Sequence, residues 1–401
     1  MRILINAASA HMGGSVTHLQ NILRWLPRKI PTGHIIVYVP EATSEVLPAG
    51  SGVDVRAYPY ASTQGPRRLY FDQVEITRLA WQEEIDVLFS ATGFGTLWSP
   101  VPQVLLVRNM KYFDPQFEAE YRELGRSFRR VRLRRWHSLL SIWAADAVLF
   151  PTRAMKQIVE SHISLNGTAT HPLHYGFDVE TFGTEESEQS GAASALRQHA
   201  GADGPLLLNV STYAVHKNLE TLIEALPPLR KTYPDLTLVT TTSRGQTTDT
   251  AEYDALKQRA AELDVADAWV ELGYVPHDDL PTVYQAADLY VFPSFTESFG
   301  HSMVEAMASR LPVVAAGTDV NREVCGDAGT YFEPFDPTDC AEAIRMVLSD
   351  EGRQAEMRRA SVHRADHFSW KRYTERLAEV FSEASEQRSS RPTGFKSEYV
   401  E

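Results

Sequence analysis

Along most of the chain, short apolar runs alternate with longer stretches of helical period. Residues 3–6, 35–39, 87–89, 104–107 and 147–150 are nearly continuous apolar runs, as expected of strands buried on both faces. Between them apolar positions recur at helical spacing, for example over residues 18–26 and 121–144. This order predicts a parallel sheet covered by helices on both sides.

The rhythm breaks at residues 185–204, rich in Ser, Gly, Ala, Glu and Gln, which read as a linker with one short helix. It resumes with strands at 206–210, 236–240, 269–272, 289–292 and 313–315, and with helices at 219–229, 250–263, 280–286, 302–308 and 340–348. The pattern predicts an N-terminal α/β domain over residues 1–184 and a C-terminal one over 205–365. A last helix follows at 366–385, and the polar, aperiodic residues 386–401 are expected to be disordered. Two such domains on one linker are expected to form a cleft between their sheet ends. Ligands in these sheets bind beyond the carboxyl ends of the strands.

Composition narrows the class. With 39 Lys+Arg against 52 Asp+Glu, the net charge of −13 argues against general nucleic-acid binding. Two cysteines, Cys325 and Cys340, make no disulfide framework and fit a reducing compartment. An apolar strand begins at residue 3, no signal-peptide pattern precedes it, and no run is long enough to span a bilayer, so a cytoplasmic location is expected.

The richest stretch is residues 286–308, AADLYVFPSFTESFGHSMVEAMA. It reads as a strand ended by Pro293 and Ser294, a turn, a loop and a helix. Gly300 allows close approach of a ligand to the backbone. Phe299, Gly300 and the helix-start residues His301, Ser302 and Met303 are expected to bind the donor, the helix-start amides suiting an anion such as a diphosphate. Glu305 lies about one turn inside, where its carboxylate can accept from two ribose hydroxyls. Glu297 sits on the loop before the helix. On spacing alone, Glu305 also reads as a solvated helix residue.

Taken with its context, residues 297–305 resemble the E-x7-E motif of retaining GT-B glycosyltransferases, family four. Gly13-Gly14 after the first strand, HYGFD at 174–178, residues 210–218 and FSW at 368–370 resemble further segments of that family in the same order, so the resemblance covers about residues 1–384. It implies two Rossmann-like domains with a C-terminal helix crossing back to the first. It implies that Glu305 binds the donor ribose and that Glu297 lies by the donor sugar and diphosphate. The implied activity is transfer of a sugar, with retained configuration, from a nucleotide-diphosphate-sugar to an acceptor in polysaccharide, glycolipid or other glycoconjugate synthesis.

Other residues join this site. Lys217 in STYAVHKN (211–218) follows a strand and precedes a helix, where a cation neutralises a departing diphosphate; a surface lysine is the plainer reading. Thr212 stands where many family members carry Arg. Gly273-Tyr274 is implied to lie near the nucleotide base, and a plain turn also explains it. Gly13 and Gly14 bring backbone amides towards phosphate or acceptor, or form a flexible turn. Arg108-Asn109 ends a strand on the acceptor side, where the family often has histidine with an acidic neighbour; Arg108 binds an acceptor phosphate or carboxylate, or pairs within its own domain. No metal cluster or cofactor is expected. Two further readings remain: a GT-B epimerase or phosphorylase, and a non-catalytic nucleotide-sugar-binding partner subunit.

Seven arginines fall between Arg122 and Arg135, against one acid, Glu123. A helical wheel places Leu124, Phe128, Val131, Leu139 and Ile142 on one face, interrupted by Arg135. The segment reads either as a solvated helix or as an attachment to an anionic membrane surface that carries a lipid-linked acceptor.

Overall fold

The computed structural model describes residues 1–10, 14–48, 50, 52–58, 65–165, 167–183, 190–201 and 203–389. The chain divides into two compact units. The first holds a seven-stranded sheet of β1 (Arg2–Asn6), β2 (His34–Val39), β3 (Val53–Ala57), β4 (Val87–Ser90), β5 (Gln103–Leu106), β6 (Ala147–Phe150) and β7 (Ala169–Pro172), in the order β3-β2-β1-β4-β5-β6-β7. The second holds β8 (Leu206–Asn209), β9 (Thr237–Thr240), β10 (Trp269–Glu271), β11 (Leu289–Phe292), β12 (Val313–Ala316) and β13 (Gly329–Phe332), in the order β10-β9-β8-β11-β12-β13. Every pairing in both sheets is parallel. These are two doubly wound, Rossmann-like sheets, each with a strand-order reversal, at β1/β4 and at β8/β11.

The central strands β4, β5, β6, β8, β11 and β12 are buried along their whole length, which is why they read as continuous apolar runs. The edge strands β3 and β7 are only half buried and mix polar residues into their pattern, which is why sequence periodicity passed over them.

The unit boundaries differ from the predicted domains. The first unit comprises residues 1–113, 125–176 and 370–401, and the second 114–124 and 177–369. The chain therefore changes unit at Gly176 rather than at 184. Phe177 N–H donates to the Phe368 carbonyl at 2.9 Å and Phe182 packs edge-on to Tyr284 at 5.8 Å, so residues beyond 176 belong to the second unit. On the first unit's side, a side chain at Gly176 would meet the Trp370 ring at 2.5 Å. Of the predicted linker, residues 190–199 form a helix in the second unit, and Arg197 of that helix bonds the Gly204 carbonyl and Asp288. The final helix, Trp370–Ser389, belongs to the first unit and runs past the predicted end at 385; residues 390–401 of the predicted disordered tail lie outside the described residues.

The single helix expected over 121–144 is two, Pro115–Glu123 and Arg129–Ala144. Gly125, at φ 67°, takes the left-handed conformation that ends a helix. The break separates Arg122, which pairs with Glu118 in the second unit, from the other arginines. It also undoes the predicted wheel: Leu124 is exposed and Val131 half buried, while Phe128, Leu139 and Ile142 are buried as expected.

Candidate active site

In the second unit, β8 and β11 are neighbours at the strand-order reversal, and the loops beyond their carboxyl ends bring the predicted residues together. Lys217 ends a short helical turn after β8, and Glu297 lies in the loop after β11. The Lys217 ammonium donates to Glu297 Oε1 at 2.5 Å. Side-chain exposures of 21% and 13% leave this pair reachable from solvent. Lys217 Nζ also stands 5.7 Å from the centroid of the Phe292 ring. The same ring lies 3.4 Å from where a Gly300 side chain would begin, so the lysine and the glycine turn flank one aromatic residue.

Gly300 has φ 85° and caps the helix His301–Ala308. An added Cβ would strain the backbone and meet Met303 Cε at 2.5 Å. Two predicted donor residues take other places. Met303 is fully buried, its sulfur lies against Cys325 Sγ, and its amide donates to the Gly300 carbonyl at 3.1 Å, so that amide is spent inside the turn. The Phe299 side chain is buried against Phe368. His301 and Ser302 remain at the helix tip, half buried.

Glu305 is buried on the same helix and accepts from the Tyr284 hydroxyl at 2.7 Å. Burial raises its pKa; the Tyr284 hydrogen bond and the nearby His277 charge oppose that rise. The bland reading as a solvated helix residue fails on this geometry. Gly273, at φ 71°, and the exposed Tyr274 follow β10, beside Ser243. Thr212 is exposed in the loop after β8.

What holds the loop was not read from the sequence. Asn218, left-handed at φ 52°, donates to the Pro293 carbonyl at 3.3 Å, and Asn321 to the Ser294 carbonyl at 3.1 Å. The Phe295 amide donates to the His216 carbonyl, and the His216 ring is buried edge-on to Phe117, so this histidine supports the loop from inside. Thr296 donates to Asp114 Oδ2 at 2.6 Å. Asp114 also caps the helix Pro115–Glu123 by accepting from the Gln116 amide. Its burial raises its pKa, against the lowering effect of these hydrogen bonds. Asp-Pro at 114–115 is a readable helix start; its partner 182 residues away is not.

In the first unit, Gly14 opens the helix Gly14–Trp25, and Gly13 lies outside the described residues. His18 of that helix meets the Tyr373 hydroxyl at 2.8 Å within a buried group that includes Tyr175 and Trp370. Arg108 follows β5, half buried, and its charge acts on Tyr175 and Tyr373, which places it beside that group. Asn109 is half buried, and its carbonyl accepts from the Tyr112 amide. At the end of β1, Asn6 donates to Asp72 at 2.7 Å and Arg68 pairs with Asp72 at 2.7 Å, a sealed network that sequence reading missed.

The family model "Glycosyltransferase Family 4" matches residues 12–181, and "Glycosyl transferases group 1" matches residues 195–364. The chain is 27% identical over 264 residues to mannosylfructose-phosphate synthase of Agrobacterium fabrum, covering 64% of this chain and 57% of that protein. It is 31% identical over 259 residues to D-inositol 3-phosphate glycosyltransferase 1 of Catenulispora acidiphila, covering 63% and 60%. The matched stretch thus spans less than two thirds of these relatives. Its fold matches that of HepE from Anabaena, solved in complex with UDP and glucose, at a TM-score of 0.75 and 21% identity, over 96% of this chain and 100% of that one. Each half of the chain thus matches one glycosyltransferase domain model, and the chain as a whole has the GT-B fold.

Proposed function

We propose that this chain is a retaining glycosyltransferase that moves a sugar from a nucleoside-diphosphate-sugar to an acceptor in glycoconjugate synthesis. The observation that carries the reading is the Lys217–Glu297 pair at the β8/β11 reversal, beside the Gly300 turn. As the bond between the sugar and the diphosphate breaks, positive charge grows on the ring and negative charge on the leaving group. Lys217 and the helix tip at His301 and Ser302 face the negative charge, an interaction that strengthens as the bond opens. Glu305, oriented by Tyr284, takes the ribose hydroxyls, and Glu297 lies against the donor sugar. The acceptor oxygen attacks on the face the diphosphate leaves, and its proton passes to the departing phosphate oxygen. Lysine and helix tip meet the diphosphate charge in this reading, so no cofactor takes part.

The acceptor is carried on the cytoplasmic side at an anionic membrane surface, approached through the arginine-rich part of the first unit. An acidic chain that places six arginines between residues 126 and 135 supports that placement.

The test is nucleoside diphosphate release from UDP-, GDP-, ADP- and TDP-sugars by the purified protein. The reading predicts release from one nucleotide class, suppressed in Lys217→Ala. Stabilisation by a nucleotide-sugar without any release, with or without added acceptor extract, would overturn it in favour of a binding module.

A further inference from the structure

We infer that the helix Arg129–Ala144 enters an anionic bilayer by an apolar stripe, with its arginines at headgroup depth; this rests on the membrane reading above and deepens it. The helix has two apolar faces. Ser138, Leu139, Ser141 and Ile142 turn inward, and Ser138 Oγ donates to the Gly93 carbonyl at 3.2 Å while His137 stacks on Phe94 at 4.6 Å. That face packs into the first unit's own core. On the opposite side stand Leu133, Trp136, Leu140 and Trp143, exposed by 72%, 62%, 48% and 65%. Their spacing of three, four and three residues puts all four on one stripe of an α-helix.

The charge around the stripe selects the occupant. Arg130 and Arg134 fall on one flank and Arg132 on the other, all exposed, with Arg129 at its start. No acid occurs from Arg126 to Ala144, in a chain of net charge −13. Tryptophan and leucine between flanking arginines is the arrangement of a helix lying in the plane of a membrane. The indoles sit at the boundary of headgroup and acyl chain, and the arginine stems reach back to phosphate. Sixteen residues give about 24 Å of helix to lay on the surface. Arg122 takes no part, because it lies in the other helix and pairs with Glu118.

The test is flotation of the full chain with phosphatidylcholine vesicles, with and without phosphatidylglycerol, at low and high salt, with tryptophan quenching by brominated lipid. Wild type is expected to bind the anionic vesicles and to be quenched. Arg130→Gln/Arg132→Gln/Arg134→Gln should lower partitioning about fivefold per arginine. Trp136→Ser/Trp143→Ser should lower it about tenfold and abolish quenching, with salt-resistant binding lost. Both variants should keep the wild-type Tm and the wild-type release of nucleoside diphosphate from donor. Failure of wild type to bind any vesicle overturns the membrane reading and this inference together. Anionic-vesicle binding that needs the arginines, with the tryptophan variant bound equally and no quenching in wild type, keeps the membrane reading and overturns insertion.

Discussion

Both units place charged side chains beyond the carboxyl ends of their central strands, and they treat them in opposite ways. In the first unit, Arg68 and Asp72 pair with side-chain exposures of 9% and 3%, and Asn6 at the end of β1 closes the network. In the second, Lys217 and Glu297 pair at 21% and 13%, on a loop whose backbone is held by Asn218, Asn321 and the His216 carbonyl. The sealed pair is buried within its own unit. The second pair sits on a rigid mount with its charges left within reach of a ligand. A fixed, accessible charge is what electrostatic catalysis requires, because little reorganisation is then needed during the reaction.

This contrast is open to direct attack. Arg68→Met should act on stability alone, costing about 3–5 kcal/mol because it strands Asp72 in a buried site; thermal unfolding should show the loss while the donor KM of the folded fraction stays unchanged. Lys217→Ala should do the reverse, lowering kcat about 10²–10³-fold with little change in Tm. If the two variants exchanged signatures, the division between sealed and working charges would be wrong.

Asp114→Ala removes both the helix cap and the Thr296 anchor, and should cost about 1–3 kcal/mol of stability. Because Thr296 adjoins Glu297, kcat should fall as well, whereas Asp114→Asn, which still accepts hydrogen bonds, should restore most of both.

Glu305→Gln has the smallest expected effect and the most specific sign. Burial raises the pKa of Glu305 above its usual 4.5, so the fold favours the protonated form. Its contribution to stability is therefore present below the unfolded pKa and lost as pH rises through the folded one. At neutral pH the glutamine variant should unfold at a slightly higher temperature, yet bind donor about tenfold more weakly, since one ribose acceptor has been exchanged for a donor. In the wild type, donor KM should rise with acidification from a pH above the ordinary carboxylate range, and this inflection should vanish in the variant.

Much of this contrast was legible in advance on one side only. β11 and the helix after it could be read because strand, Gly300 and the two glutamates lie within one short stretch, where local chemistry dictates local shape. The supports of the same loop could not. Asp114 meets Thr296 across 182 residues, and Tyr284 reaches Glu305 from another helix, so neither contact has a sequence period to announce it. Local reading also placed Met303 and Phe299 on the ligand side, where the helix turn and the core claim them instead. In the first unit, Gly125 was hidden inside an apparently continuous helical pattern, and its left-handed backbone split the basic segment in two. Exposure of Trp136 and Trp143 was equally unreadable, because tryptophan at helical spacing usually marks a core.

The central claim, that a fixed lysine and helix tip let the sugar leave and be captured on the same face, is tested most directly by proton NMR of the first product formed from an α-linked nucleotide-sugar. The account predicts an α-linked product at the earliest time points. A β-linked product, formed at the wild-type rate and lost in Lys217→Ala, would contradict it.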